Sequence, residues 1–288
     1  MRARIGPAAP PLLLLAPAVL CTAAFIVLPL LCMGIFSFWT QTRAGVVLRV
    51  FTLANWREYL GDPFYVSILV DTLRLAATTT ALCALIGYPT AYAIYSTRGH
   101  LRSVMLGLIL FAYSAGSVPR AFSWLVVLGD RGLVNQILFT VRDSNQPIPF
   151  LYNQSGVLIG MIHAMLPFVT LILLGSMMRV SAHLVPAART LGASPWRAFA
   201  EIFLPLTRQG VLAAAMLVLV YSLGFYIVPA VLGGAPQTTI VMQIRELVLR
   251  LGIWGLGAAL SSIVVLVSIV GAAFYVRATG LSDVYRRD

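Results

Sequence analysis

The feature that most constrains this chain is a succession of apolar runs, each too long and too free of charge for an ordinary water-soluble helix. A helix crossing the hydrocarbon core of a bilayer needs about 20 apolar residues. Charge-free runs meet that length at Leu12–Trp39, Leu75–Tyr95, Val157–Met178, Gly210–Leu232 and Leu251–Val276. A sixth run, Ser103–Leu128, is interrupted by Pro119 and Arg120. It reads as a span ending near Pro119, followed by a shorter apolar segment at the outer surface. The expectation is an all-α integral membrane protein with six transmembrane helices. Only 10% of its 288 residues are charged, against about 25% in soluble domains. Arg2 and Arg4 resemble the opening of a signal peptide, but the run behind them is about twice a signal core. It reads as a retained first helix.

Charge narrows the function. The net charge is +11, and every one of the 20 basic residues is Arg. These arginines punctuate apolar runs instead of forming a basic stripe on a soluble face, so nucleic acid is not an expected partner. With no Lys, the chain has no Walker A loop of its own and no amine for Schiff-base chemistry. Cys21, Cys32 and Cys83 lie in apolar runs without metal spacing and read as small buried hydrophobes. His100, His163 and His183 are scattered. No catalytic or metal constellation is expected, and His163 reads as hydrogen-bonded between helices.

Arginine placement orients the spans. With both termini cytoplasmic, the inner segments hold Arg2, Arg4, Arg98, Arg102, Arg179, Arg189, Arg197, Arg208, Arg277, Arg286 and Arg287 against Glu201, Asp283 and Asp288. The outer segments hold the other nine arginines and six acids. Residues 1–64 read as a first transmembrane helix and a long outer loop, 65–277 as the transmembrane core with an inner loop at 179–209, and 278–288 as a cytoplasmic tail.

That inner loop carries the strongest local signal. Ser181 can cap a short helix running to Leu191, with Gly192 as its left-handed C-terminal cap. Pro186 inside it should kink it. Ser194 can cap a second helix with Pro195 in first position, where a missing N–H costs nothing. Trp196, Phe199, Ala200 and Phe203 share one face of that helix, and Pro205 should end it. The periodicity fits two helices lying on the membrane surface, with or without a partner.

Residue order adds a resemblance. Ala187-Ala188, three residues, Gly192, nine residues and Ile202-Phe203-Leu204-Pro205 are similar to the EAA loop of ABC importer permeases, with Pro186 in place of the motif Glu. Asn55-Trp56-Arg57-Glu58-Tyr59, Gly87-Tyr88-Pro89-Thr90-Ala91, Pro119-Arg120-Ala121-Phe122-Ser123-Trp124 and Val228-Pro229-Ala230-Val231-Leu232-Gly233-Gly234 extend it over about residues 50–240. On these motifs the chain resembles permeases of binding-protein-dependent type I ABC importers, nearest to the spermidine/putrescine type. The resemblance implies a type I ABC importer permease fold in a bacterial inner membrane. It also implies a second, related permease that forms a heterodimer with this chain, two ATPase subunits that bind ATP and Mg, and a periplasmic substrate-binding protein. No cofactor is implied for this chain itself. The ATPase-coupling residues it implies are Pro186, Ala187, Ala188, Arg189, Gly192, Ala193, Ser194, Trp196, Arg197, Phe199, Ile202, Leu204 and Pro205.

Substrate-path candidates are Asp71, Arg120, Tyr221, Phe225 and Tyr226. Asp71 and Arg74 share a helix face and can form a structural pair or meet solute. Arg120 can anchor at the interface, line the outer vestibule or contact the binding protein. The aromatic residues can pack helices or offer ring faces to an organic cation. A polyamine such as spermidine or putrescine is the favoured solute; iron, thiamine, opine and amino-acid-like solutes remain open. An ion-coupled secondary transporter would require paired repeats and deep ionisable residues.

Overall fold

The computed structural model describes residues 11–42, 45–142, 146–234 and 237–279. Arg2, Arg4, Asp283, Arg286, Arg287 and Asp288 lie outside them. Six helical stretches are long and apolar enough to cross a membrane: Leu15–Phe36, Pro63–Ser96, Ser117–Val141, Gln154–Met177, Pro195–Leu223 and Trp254–Thr279. The chain divides into two compact units, Met1–Val66 with Ile244–Val265, and Ser67–Gln243 with Leu266–Asp288.

In the first unit, α1 (Pro11–Thr22) continues through a π-helical turn, Ala23–Val27, into α2 (Leu28–Phe36). Nothing in the described spanning stretch is buried within the chain. Cys21 and Cys32 are therefore exposed, contrary to the buried role expected of them, while Cys83 is buried. The following segment is more ordered than a loop. Strands β1 (Trp39–Gln41) and β2 (Val47–Phe51) pair antiparallel with a bulge at Trp39/Thr40, and α3 (Ala54–Gly61) follows. Asn55 Nδ2 donates to the carbonyls of Ser37 and Trp39 at 2.9 and 3.1 Å. Gln41 donates from Nε2 to the Gly252 carbonyl at 2.5 Å and accepts at Oε1 from the Trp254 N–H at 2.8 Å. One side chain thus ties the hairpin to the segment leading into the helix Trp254–Thr279.

The second unit is a helical bundle. Helix α4 (Pro63–Ser96) has 34 residues, about 51 Å at helical rise. It begins well before the expected Leu75, because Asp71 and Arg74 are tolerated on its exposed side and Asp62 Oδ1 accepts the Phe64 N–H at 2.9 Å. After it come α5 (His100–Ser114), α6 (Ser117–Leu128), α7 (Leu133–Arg142) and α8 (Gln154–Met177). The expected span ending near Pro119 is corrected here. The helix stops at Ser114, Ala115 is extended, and Pro119 sits in the first turn of α6, where its missing N–H breaks no bond. By length and hydropathy the qualifying stretch is Ser117–Val141, and the 15-residue α5 is a shorter apolar helix.

Helix α8 is the most buried of the candidate spans. It packs on α11 (Leu204–Leu223) through small residues: a Cβ at Gly210 would overlap the Ser176 side chain. Such close backbone approach is how helices associate where lipid removes the hydrophobic drive. One buried cluster joins Cys83, Ala91, Ile94, Val169, Leu173, Phe203 and Val218. Another joins Leu75, Ala121, Val157, Met161, Val228 and Leu232.

Candidate functional site

In the Ser181–Thr207 loop, α9 (Leu184–Thr190) starts after His183 without a side-chain cap, so Ser181 does not play the capping role expected of it. Pro186 falls in the first turn, where N–H groups have no intrahelical partner, and causes no break in the helix. Gly192 has φ 92°. Its N–H donates to the Arg189 carbonyl at 3.1 Å, and the Ala193 N–H donates to the Ala188 carbonyl at 3.0 Å. These two bonds form a Schellman cap, which needs the left-handed residue that glycine supplies. Ser194 Oγ then accepts the Arg197 N–H at 3.2 Å, capping α10 (Pro195–Ala198).

Pro205 does not end this element. A π-helical turn, Phe199–Phe203, feeds directly into α11, and the Leu204 N–H donates to the Phe199 carbonyl. Pro205 therefore occupies the first turn of the next helix. The π turn keeps the aromatic column aligned: Trp196 stacks on Phe199 and Phe199 on Phe203, each at 5.8 Å. From α4, Tyr92 meets Phe199 edge-on at 5.1 Å and Tyr95 lies 5.2 Å from Phe203. Phe203 is buried, but Leu191 and Trp196 are 88% and 75% exposed. Ala187, Ser194 and Leu204 are exposed, while Ala188, Ala193 and Ile202 are half-buried. Arg197 Nε donates to both Glu201 carboxylate oxygens at 2.9 and 3.1 Å.

The substrate-path candidates fall in three places. Helix α11 stops at Leu223, and α12 (Ile227–Leu232) starts after a break at Gly224–Tyr226, so the expected uninterrupted span to Leu232 is corrected. Tyr221, Phe225 and Tyr226 line a cavity of about 490 Å³ at this break, with Ser117 and Ile227. Asp71 lies elsewhere, in a polar cleft of about 200 Å³ with Arg74, Gln154, Gln237 and Thr239. Its carboxylate is 3.5 Å from Arg74, and both side chains are largely exposed.

Arg120 is buried between helices. It is 9% exposed. One terminal nitrogen donates to the carbonyls of Ala112 and Ala115 at 2.7 and 2.6 Å, and the other to Ala164 at 3.4 Å. A cation thus satisfies carbonyls at the end of α5, where the helix dipole favours positive charge. His163 packs its ring edge-on to Trp124 at 5.4 Å. Its buried Nδ1 has no hydrogen-bond partner among the described residues, so the expected interhelical bond at that atom is absent.

The model of the family described as "binding-protein-dependent transport system inner membrane component" matches residues 125–279, which include the capped loop and the broken helix. The chain belongs to this family. It is a permease subunit of an ABC importer, a transport component. It is 32% identical over 257 residues to the spermidine/putrescine transport system permease protein PotB of Escherichia coli (strain K12), covering 89% of this chain and 93% of that one. PotB of Haemophilus influenzae is 29% identical, with 87% and 88% covered. Among solved structures, a bacterial alginate ABC transporter bound to its periplasmic protein superposes with TM-score 0.77 at 16% identity, covering 92% and 93% of the chains. The loop residues lie in α9, α10, the turn between them, the π-helical turn that leads into α11, and the first turn of α11. The permease does not bring Asp71, Arg120 and the three aromatic residues into one site. Sequence reading missed Tyr92 and Tyr95, whose spacing along α4 was the available signal, and Thr239, which had none.

Proposed function

We propose that the permease forms half of the membrane path of an ATP-driven polyamine importer, with both termini cytoplasmic in a bacterial inner membrane. A second related permease completes the path, and a periplasmic binding protein delivers the solute. Two ATPase subunits carry ATP and Mg, and push on the Ser181–Thr207 loop. The observation that carries this reading is the outward pair Leu191 and Trp196 on a rigidly capped loop. Large apolar side chains held outward beside charged groups mark a protein interface. The relation to permeases named for spermidine and putrescine supports the solute, as do the ring faces of Tyr221, Phe225 and Tyr226, which attract ammonium groups. Alternating access requires this site to hold the solute less tightly when it faces inward.

The test is reconstitution of the permease pair with its ATPase and binding protein in liposomes. Loaded binding protein should stimulate both hydrolysis and spermidine uptake, and Trp196→Asp should abolish both while the chain still inserts. Uptake driven by an ion gradient without ATPase, or unimpaired uptake by Trp196→Asp, would overturn the reading.

A further inference from the structure

The two short helices of the loop and the Ser96 end of α4 enclose a small cleft of about 170 Å³, lined in part by Tyr92, Tyr95, Val185, Arg189, Phe199 and Phe203. Its walls are mostly aromatic and aliphatic, and Arg189 is the charged group among its lining residues. The 179–209 segment holds four arginines (Arg179, Arg189, Arg197, Arg208) and one acid, Glu201. That acid is engaged by Arg197 through two short contacts. Arg189 is exposed and has no side-chain hydrogen bond or ion pair among the described residues. Where the family motif carries a Glu, this loop has Pro186, so it offers no free carboxylate to a basic partner. The sign of charge it presents is positive.

We propose that this cleft receives an acidic side chain of the ATPase subunit, with Arg189 as its charge partner and the aromatic walls, Tyr92, Tyr95, Phe199 and Phe203, excluding water around the pair. This rests on the reading that the loop meets the ATPase and adds the chemistry of the contact. A guanidinium with free donors binds a carboxylate through directed, charge-assisted bonds. The flanking apolar side chains strengthen such a pair by lowering the local dielectric.

The experiment uses the assembled importer in nanodiscs and measures retained ATPase and stimulated hydrolysis. Arg189→Glu should cut retention by about tenfold or more, the equivalent of one pair worth roughly 1.4 kcal/mol. Arg189→Lys should lose less than Arg189→Glu, since it keeps the charge but not the guanidinium fork. Replacing exposed ATPase acids one at a time by Lys should restore Arg189→Glu at one position. Full retention by Arg189→Glu while Trp196→Asp loses the ATPase would overturn the proposal and leave the docking reading standing. Retention by both would overturn docking and the proposal together. A defect confined to bilayers of anionic phospholipid would assign Arg189 to lipid phosphate instead, and absence of any restoring acid would also overturn the pair.

Discussion

Two arginine-bearing joints, one at residues 112–124 and the other at 181–207, solve opposite problems. At the first, Arg120 is buried and spends its donors on carbonyls of α5 and α8. At the second, Gly192 and Ser194 cap the turn between α9 and α10, while Arg189, Leu191 and Trp196 are exposed. The contrast separates polar groups used to complete the fold from groups left for something outside it. A charge in a membrane segment is often read as functional; Arg120 shows that the alternative use, satisfying a broken helix end, is decided by its partners.

The largest effect expected is at the buried joint. Arg120→Met should strand the Ala112 and Ala115 carbonyls, at a cost of about 1–3 kcal/mol for each acceptor left without a donor. The readout is the yield of monodisperse, protease-resistant chain, with Arg120→Lys intermediate because it offers a single nitrogen in place of a fork. Normal yield from Arg120→Met would erase the distinction between the two joints.

At the loop the expected loss is in coupling, with the bundle intact. Gly192→Ala forces a Cβ into left-handed backbone, costing about 1–2 kcal/mol, although no atom lies within 4 Å of where that Cβ would sit. The strain is therefore conformational and not steric, so Gly192→Asn should recover part of the loss of ATPase stimulation. Equal defects in Ala and Asn would point to crowding by a partner. Ser194→Ala should have a smaller effect, about 1 kcal/mol for a lost N-cap, read as reduced stimulation of hydrolysis at unchanged yield of folded chain.

These two caps were legible in the sequence because their chemistry is local. Gly192 follows a short helix and Ser194 precedes Pro195, and no distant residue is needed to interpret either. The prolines were harder. Pro186, Pro119 and Pro205 all read as breaks or kinks, yet each occupies a first turn, and for Pro205 that depends on an unforeseen π turn. The six spans were legible from hydropathy, but the start of α4 was hidden by Asp71 and Arg74. The β1–β2 hairpin gave little signal because most of β2 is exposed and lacks the alternation of a half-buried strand. The partners of Arg120 were hidden for a further reason: none lies on its own helix, and all are backbone carbonyls with no mark in the sequence.

Tyr59 sharpens the comparison at its smallest scale, because its one polar atom is buried without a partner, whereas both terminal nitrogens of Arg120 have carbonyl partners and only its Nε has none. Its side chain is fully buried, and its hydroxyl has no hydrogen-bond partner among the described residues. Burial pushes its phenol from 10.0 up to about 12, since the charged form is disfavoured away from water. A raised folded-state value means that the folded chain holds the proton more tightly than the unfolded chain. This contribution to stability is complete below pH 10, falls as the unfolded phenol ionises, and is gone above about pH 12. Tyr59→Phe should therefore leave neutral-pH stability nearly unchanged, since an apolar ring loses no bond, and should lessen alkaline unfolding across that window. Thermal unfolding followed by tryptophan fluorescence at neutral and alkaline pH is the measurement. A marked loss at neutral pH would reveal a partner for the hydroxyl and remove Tyr59 from the unmatched groups.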